Sequence, residues 1–198
     1  FVFQPKELRR VSSSFVKSLI GPDNWQTVVK KHLPASVYPL FVEKYKKMEL
    51  IKKLKIRWFK LCHQLGARGD IEGVFDEIIA RYSEKHRRYH NLNHILYCLE
   101  KLDQVRYLVN SPLVVEMAIW LHDVIYDVMP NARNEERSAS LSDKLLTKLF
   151  LEPVFIAEVG EKILATQHTF VPTDRDSCLI VDIDLSSLAL PAEQFDEI

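Results

Sequence analysis

The sequence predicts an all-α protein, a helical bundle preceded by a short helical extension. Three observations carry this expectation. Glycine is scarce, with five in 198 residues, so few positions favour a break in a helix. Apolar residues recur at helical spacing through most of the chain. Helix-starting residues, Asp70, Asn91 and the Ser111-Pro112 pair, stand just ahead of these runs.

Residues 1–53 read as the extension. Ser12-Ser13-Ser14, Gly21-Pro22-Asp23-Asn24, Pro34 and Pro39 punctuate short helical pieces, and Asp23 or Asn24 is placed to cap a helix running through Lys31. Lys44, Lys46, Lys47, Lys52, Lys53 and Lys55 alternate with apolar residues, the pattern of a solvated helix face or of a basic helix that touches an anionic surface. Nothing here carries a catalytic signature.

Residues 54–198 read as the main domain. Ile56, Phe59, Leu61 and Leu65 form the expected buried face of its first helix, ended by Gly66. Asp70 caps a second helix through Tyr82, and Asn91 a third through Val105, which puts His94 in a first turn. Pro112 opens a very apolar helix, and Met129-Pro130-Asn131 breaks the chain after Asp127. Further helices are expected from Asn134 and from Pro153 through His168. Ser177–Leu188 reads as a buried helix, with a strand possible at Leu179-Ile180-Val181.

Lys and Arg number 27, as do Asp and Glu, so no bulk charge draws the chain to nucleic acid or membrane. No apolar run approaches the ~20 residues that span a bilayer. Three widely separated cysteines, Cys62, Cys98 and Cys178, form neither a zinc-finger spacing nor a disulfide framework, which points to a reducing, cytoplasmic setting. The chain begins at Phe1 and stops within an apparent helix start, PAEQFDEI, so truncation at both ends is expected.

The chemistry centres on Trp120–Asp127. The apolar run from Val114 leads directly into His122-Asp123, two ionisable residues that are costly to bury unless paired or metal-bound. His90 and His94 lie upstream, and Asp182 and Asp184 sit in a downstream apolar run. On a helix, Asp182 and Asp184 point about 200° apart, so at most one faces a shared site. One metal ion would satisfy all three segments together.

The segments FDEIIARYSEKHRRYHNLNHI, VEMAIWLHDVIYD, NEERSA, ILATQH and VDIDLSSLAL, in this order, resemble the HD-domain superfamily of metal-dependent phosphohydrolases. They look most like one subfamily whose substrates are largely undefined. The resemblance spans about residues 54–198, and it implies a helical domain that continues beyond Ile198.

The resemblance implies four metal ligands: His94, His122, Asp123 and one downstream aspartate. Asp184 is preferred because Asp184-Leu185-Ser186 resembles the ligand-bearing Asp-Leu-Ser segment of cyclic-nucleotide phosphodiesterases. Mn²⁺, Fe²⁺, Mg²⁺ and Zn²⁺ all suit two histidines and two carboxylates. Asp123 both binds metal and holds water in this reading, and Glu135 or Glu136 accepts a proton. Both glutamates also suit a first helical turn without any catalytic role. His90, Asp182, His168, Arg133 and Arg137 are placed around the ligands or the substrate, with Lys85, Arg87 and Arg88 as further cations. The expected activity is hydrolysis of a small phosphorylated metabolite or nucleotide. The alternatives are a di-iron, oxygen-dependent enzyme using His168 and a glutamate as extra ligands, and a non-catalytic metal-containing scaffold.

Overall fold

A computed structural model describes residues 12–21, 24–129, 132–191 and 193. The expected cap at Asp23, the chain break at Pro130-Asn131 and the helix start within 194–198 lie outside these residues. The described residues form nine α-helices, α1 (Ser13–Ser18), α2 (Trp25–Lys30), α3 (Tyr38–Gln64), α4 (Ile71–Tyr82), α5 (Leu92–Val105), α6 (Pro112–Leu121), α7 (Asn134–Lys148), α8 (Pro153–Ala165) and α9 (Arg175–Leu185). No strand occurs among them, so Leu179-Ile180-Val181 is helical. The fold class is all-α, as the scarcity of glycine and the apolar spacing predict.

The chain divides into two compact units, Phe1–Leu50 and Ile51–Ile198, and the division falls within α3. In the first unit, Trp25 packs edge-on against Tyr45 and Phe41, and Phe15 against His32. Pro39 does not punctuate this region: it is the second residue of α3, where its missing N–H costs nothing.

In the second unit, α6 is the axis. Every residue from Val114 to Leu121 is buried, and α5, α7, α8 and α9 all pack on it. Trp120 meets Trp58 and Phe75 edge-to-face. The buried face of α3 is Leu54, Trp58, Leu61 and Cys62. Ile56 and Phe59, expected inside, are exposed. Glu116, the acid within the apolar run, is held between Arg57 (2.8 Å) and Arg106 (2.6 Å), which offsets the cost of burying it.

Local signals set several helix ends. Asp70 accepts from the Gly73 amide at 2.9 Å, and Asn91 from that of Asn93 at 2.7 Å. Gly66 ends α3 in the left-handed region, at φ 68°. The start of α6 is different. Ser111 makes no side-chain cap; Asp176, from the first turn of α9, accepts from the amides of Asn110 (2.8 Å) and Ser111 (2.7 Å). This ties α9 to α6.

Gly69 is a steric requirement. A Cβ there would sit 1.7 Å from the Lys148 carbonyl oxygen. Gly69→Ala is therefore expected to lower unfolding stability by at least about 2 kcal/mol. Gly160, inside α8 with open space around its Cα, should instead gain about 0.5–1 kcal/mol as alanine. Denaturant midpoints of the two variants check both signs.

Candidate metal centre

His94 and His122 reach one point from different helices. His94 is in the first turn of α5 and fully buried; His122 is the C-cap of α6 and buried. Their Nε2 atoms are 3.3 Å apart. Asp184, in the last turn of α9, places Oδ1 3.1 Å from His94 Nε2 and 3.5 Å from His122 Nε2. The three residues offer donor atoms that all lie within 4.8 Å of one another. Donors ~2.1 Å from a common ion sit ~3.0–3.4 Å apart in octahedral or tetrahedral arrangement, so the observed spacings suit one ion.

Asp123 lies outside that mutual set but borders it. Its Oδ2 is 3.2 Å from His122 Nε2 and 3.8 Å from His94 Nε2. This oxygen is buried and has no aligned hydrogen-bond donor among the described residues. A buried carboxylate needs a cation beside it; the His122 ring at 3.2 Å serves here, and a metal ion would take that place. The tautomer of His122 fits too. Its Nδ1–H donates to the Ile119 carbonyl at 2.9 Å, which turns Nε2 to the cluster, as a ligand nitrogen requires once its proton is lost.

The aspartates are held ionised. Burial raises Asp184, but His122, His168 and His94 outweigh it and hold the carboxyl well below its usual range. Asp123 is likewise lowered by His122 and His90 against its burial. Burial lowers His122, but Asp123 and Asp184 override this and hold it well above 6.5. A metal must therefore displace a proton from His122.

The linkage fixes the sign of a pH effect. His122, with its folded value raised, stabilises the metal-free fold fully below 6.5, and this is lost as pH rises through the folded value. Asp184, with its folded value depressed, contributes above 3.8, and this is lost as pH falls. Metal affinity should thus strengthen as pH rises from about 6 to about 8, with proton release. Calorimetric titration of Mn²⁺ or Zn²⁺ in buffers of different ionisation enthalpy measures both.

His90 and His168 flank the cluster. His90 lies before the α5 cap, so it does not share a helix face with His94. Its ring lies against Tyr126, tilted by 30° with centroids 4.3 Å apart, and its Nε2 is 3.9 Å from Asp123 Oδ2. Burial lowers its pKa below 6.5. His168 is not on α8, which ends at Ala165; it follows in a left-handed conformation, φ 56°. Its Nε2 is 3.5 Å from Asp184 Oδ2, and this contact raises its pKa. Glu135 adds to that rise, whereas Glu136 pairs with Arg133 at 3.5 Å.

Two expectations are corrected. Asp182 is exposed and makes none of the cluster's contacts, because helical α9 turns it away when Asp184 faces inward. Arg87 is not available as a cation for a substrate. Its guanidinium is fully buried and donates to the carbonyls of Asp123 (2.6 Å), Val124 (3.1 Å) and His90 (3.1 Å), with Glu84 at 3.1 Å. It also lies over Tyr82, whose hydroxyl accepts from the Asp123 amide. Arg133 and Arg137 are exposed and contact none of the cluster.

At the far end of α9, Tyr89 meets Ser187 and Tyr97 accepts from Ser186 at 3.2 Å, which fixes the turn after Asp184 to α5. Sequence reasoning missed these contacts, and Asp176 with them.

Fold and cluster together define an all-α protein with a nitrogen/oxygen site sized for a metal ion. No family model matches the chain, and no solved structure matches it. Curated proteins match in part. The chain is 42% identical over 45 residues to phosphopantetheine adenylyltransferase of Chromobacterium violaceum, covering 23% of this chain and 27% of that protein. It is 40% identical over 38 residues to the enzyme of the same name from Neisseria meningitidis serogroup C, covering 19% and 22%. The chain thus spans about a quarter of the length of the curated relatives it matches. No described helix is long and apolar enough to cross a membrane.

Proposed function

We propose that the chain is a metal-dependent phosphohydrolase of HD type acting on a small phosphoester, with a nucleotide as the leading substrate class. The observation that carries this reading is the convergence of the His94, His122 and Asp184 donor atoms within 4.8 Å of one another, with Asp123 Oδ2 3.2 Å from His122 Nε2. His94, His122, Asp123 and Asp184 would hold a divalent ion. When bound, such an ion supplies Lewis acidity toward phosphoryl oxygens and a water of lowered pKa.

The chain's own groups supply the rest. Ile119 and Arg87 fix the orientation of His122 and the backbone of Asp123. His90, held neutral by burial, is placed to accept a hydrogen bond or proton beside Asp123. His168, its pKa raised by Asp184 and its side chain 38% exposed, is placed to hydrogen-bond a phosphoryl or leaving-group oxygen. Glu135 adds to that rise.

The partial likeness to an enzyme whose name joins a phosphorylated ligand to adenylyl transfer supports a phosphorylated small molecule or nucleotide as ligand. It does not favour hydrolysis over transfer. A second reading, two metal ions with oxygen-dependent cleavage, is favoured by His168 on the second oxygen of Asp184. The deciding experiment is a panel of nucleotides and phosphomonoesters with purified protein, chelator-treated protein and protein resupplied with Mn²⁺, Fe²⁺, Mg²⁺ or Zn²⁺. Release of phosphate that chelation stops and one metal restores is expected. No phosphate release under any metal refutes the reading.

A further inference from the structure

A cleft of about 530 Å³ away from the histidine cluster is lined by Arg81, Arg133, Arg137 and Lys144, against a single acid, Glu136. The chain as a whole has as many acids as bases, so this local excess is a departure from its average. Arg81 lies in the last turn of α4, Arg137 and Lys144 come from α7, and Arg133 is the residue before it. Ile125, two residues after Asp123, forms part of the wall. The Ser138 hydroxyl binds both its amide (3.0 Å) and its carbonyl (3.2 Å), which holds that wall against α7.

Six arginines of the second unit differ in how they are held. Arg57, Arg87 and Arg106 are clamped, with contacts of 2.6–3.1 Å to carboxylates or carbonyls. The three around the cleft are not. Arg81 meets Glu77 at 3.8 Å, Arg133 meets Glu136 at 3.5 Å, and Arg137 meets Asp127 at 3.7 Å and the Ala132 carbonyl at 3.3 Å. Exposed pairs this long contribute little, roughly 0–1 kcal/mol each, so they yield readily to a stronger anion. Guanidinium forks suit phosphate oxygens two at a time, and four cations against one acid in the lining carry more positive charge than the roughly −1.5 to −2 of a single phosphate group balances.

We infer that this cleft is a binding site, separate from the metal centre, for a small anion carrying at least two linked phosphate groups, with Arg81 and Arg137 as its main contacts. The smaller neighbouring cleft shares Arg81, Ile125 and Arg137, so the two arginines stand where the spaces meet. The site binds whether or not the proposed hydrolysis is correct, because none of these cations belongs to the histidine cluster.

Calorimetric titration with inorganic pyrophosphate tests this, using protein as purified, chelator-dialysed protein and the His122→Ala variant. Saturable binding is expected in all three, at least about tenfold tighter than for inorganic phosphate. Arg81→Gln and Arg137→Gln should each weaken it about tenfold, with unchanged melting curves. Lys52→Gln, an exposed cation on α3, should leave it unchanged. Three results overturn the inference: no saturable binding, loss of binding on chelation or in His122→Ala, which would place the anion at the metal, or equal weakening by Lys52→Gln, which would reduce it to general charge attraction. A nucleoside diphosphate titrated in parallel separates a nucleotide ligand from a purely inorganic one through its tighter binding.

Discussion

His122→Ala is expected to abolish metal binding and to lower phosphoester hydrolysis by roughly 10³-fold or more, the loss of several kcal/mol of transition-state stabilisation. His122 is the joint of the cluster: its Nε2 is 3.3 Å from His94, 3.2 Å from Asp123 and 3.5 Å from Asp184. Removing the ring leaves two buried carboxylates without their main counter-charge, so the variant should also lose about 3 kcal/mol of stability. His122→Asn retains volume and a polar group, and should fold more stably than the alanine variant while still binding no metal. If either variant keeps full metal content and activity, His122 is not a ligand. If wild type has metal but no activity to lose, the scaffold alternative gains over the enzyme.

Arg87→Met is the second large effect. The arginine satisfies three carbonyls from two chain segments and one carboxylate, all with its side chain fully buried. Methionine fills the volume but leaves these acceptors unpaired, at a cost of about 3–5 kcal/mol by denaturant unfolding. Arg87→Lys cannot span the same acceptors with one ammonium. It should fold, yet bind metal about 10–100-fold more weakly, because the backbones of Asp123 and His90 lose their common support. A purely structural arginine would shift stability in Arg87→Lys without shifting metal affinity, so the two readouts separate the roles.

What the sequence discloses is what short-range physics determines. Asp70, Asn91 and Gly66 act on residues within one turn, so their roles can be read from neighbouring letters. Likewise, helical spacing alone allows only one of Asp182 and Asp184 to face the site, and Asp184 does. The buried face of α3 cannot be read this way: two apolar stripes compete, and packing against Trp120 selects Trp58 over Phe59. The supports of the site are hidden for the same reason. Arg87 meets Asp123 across 36 residues, and Asp176 meets Asn110 across 66. Each looks like an ordinary surface charge until the chain is folded. The sequence places His168 near the ligands, but its seat against Asp184 depends on a left-handed residue that no local signal announces.

The most direct test is the metal content of the purified chain, measured by elemental mass spectrometry for wild type and for His94→Ala. About one equivalent of a divalent transition metal per wild-type chain, falling to background in the variant, is the result expected from a site of this size. Wild-type protein without bound metal, and unable to take up Mn²⁺, Fe²⁺ or Zn²⁺ at micromolar concentrations, would contradict it.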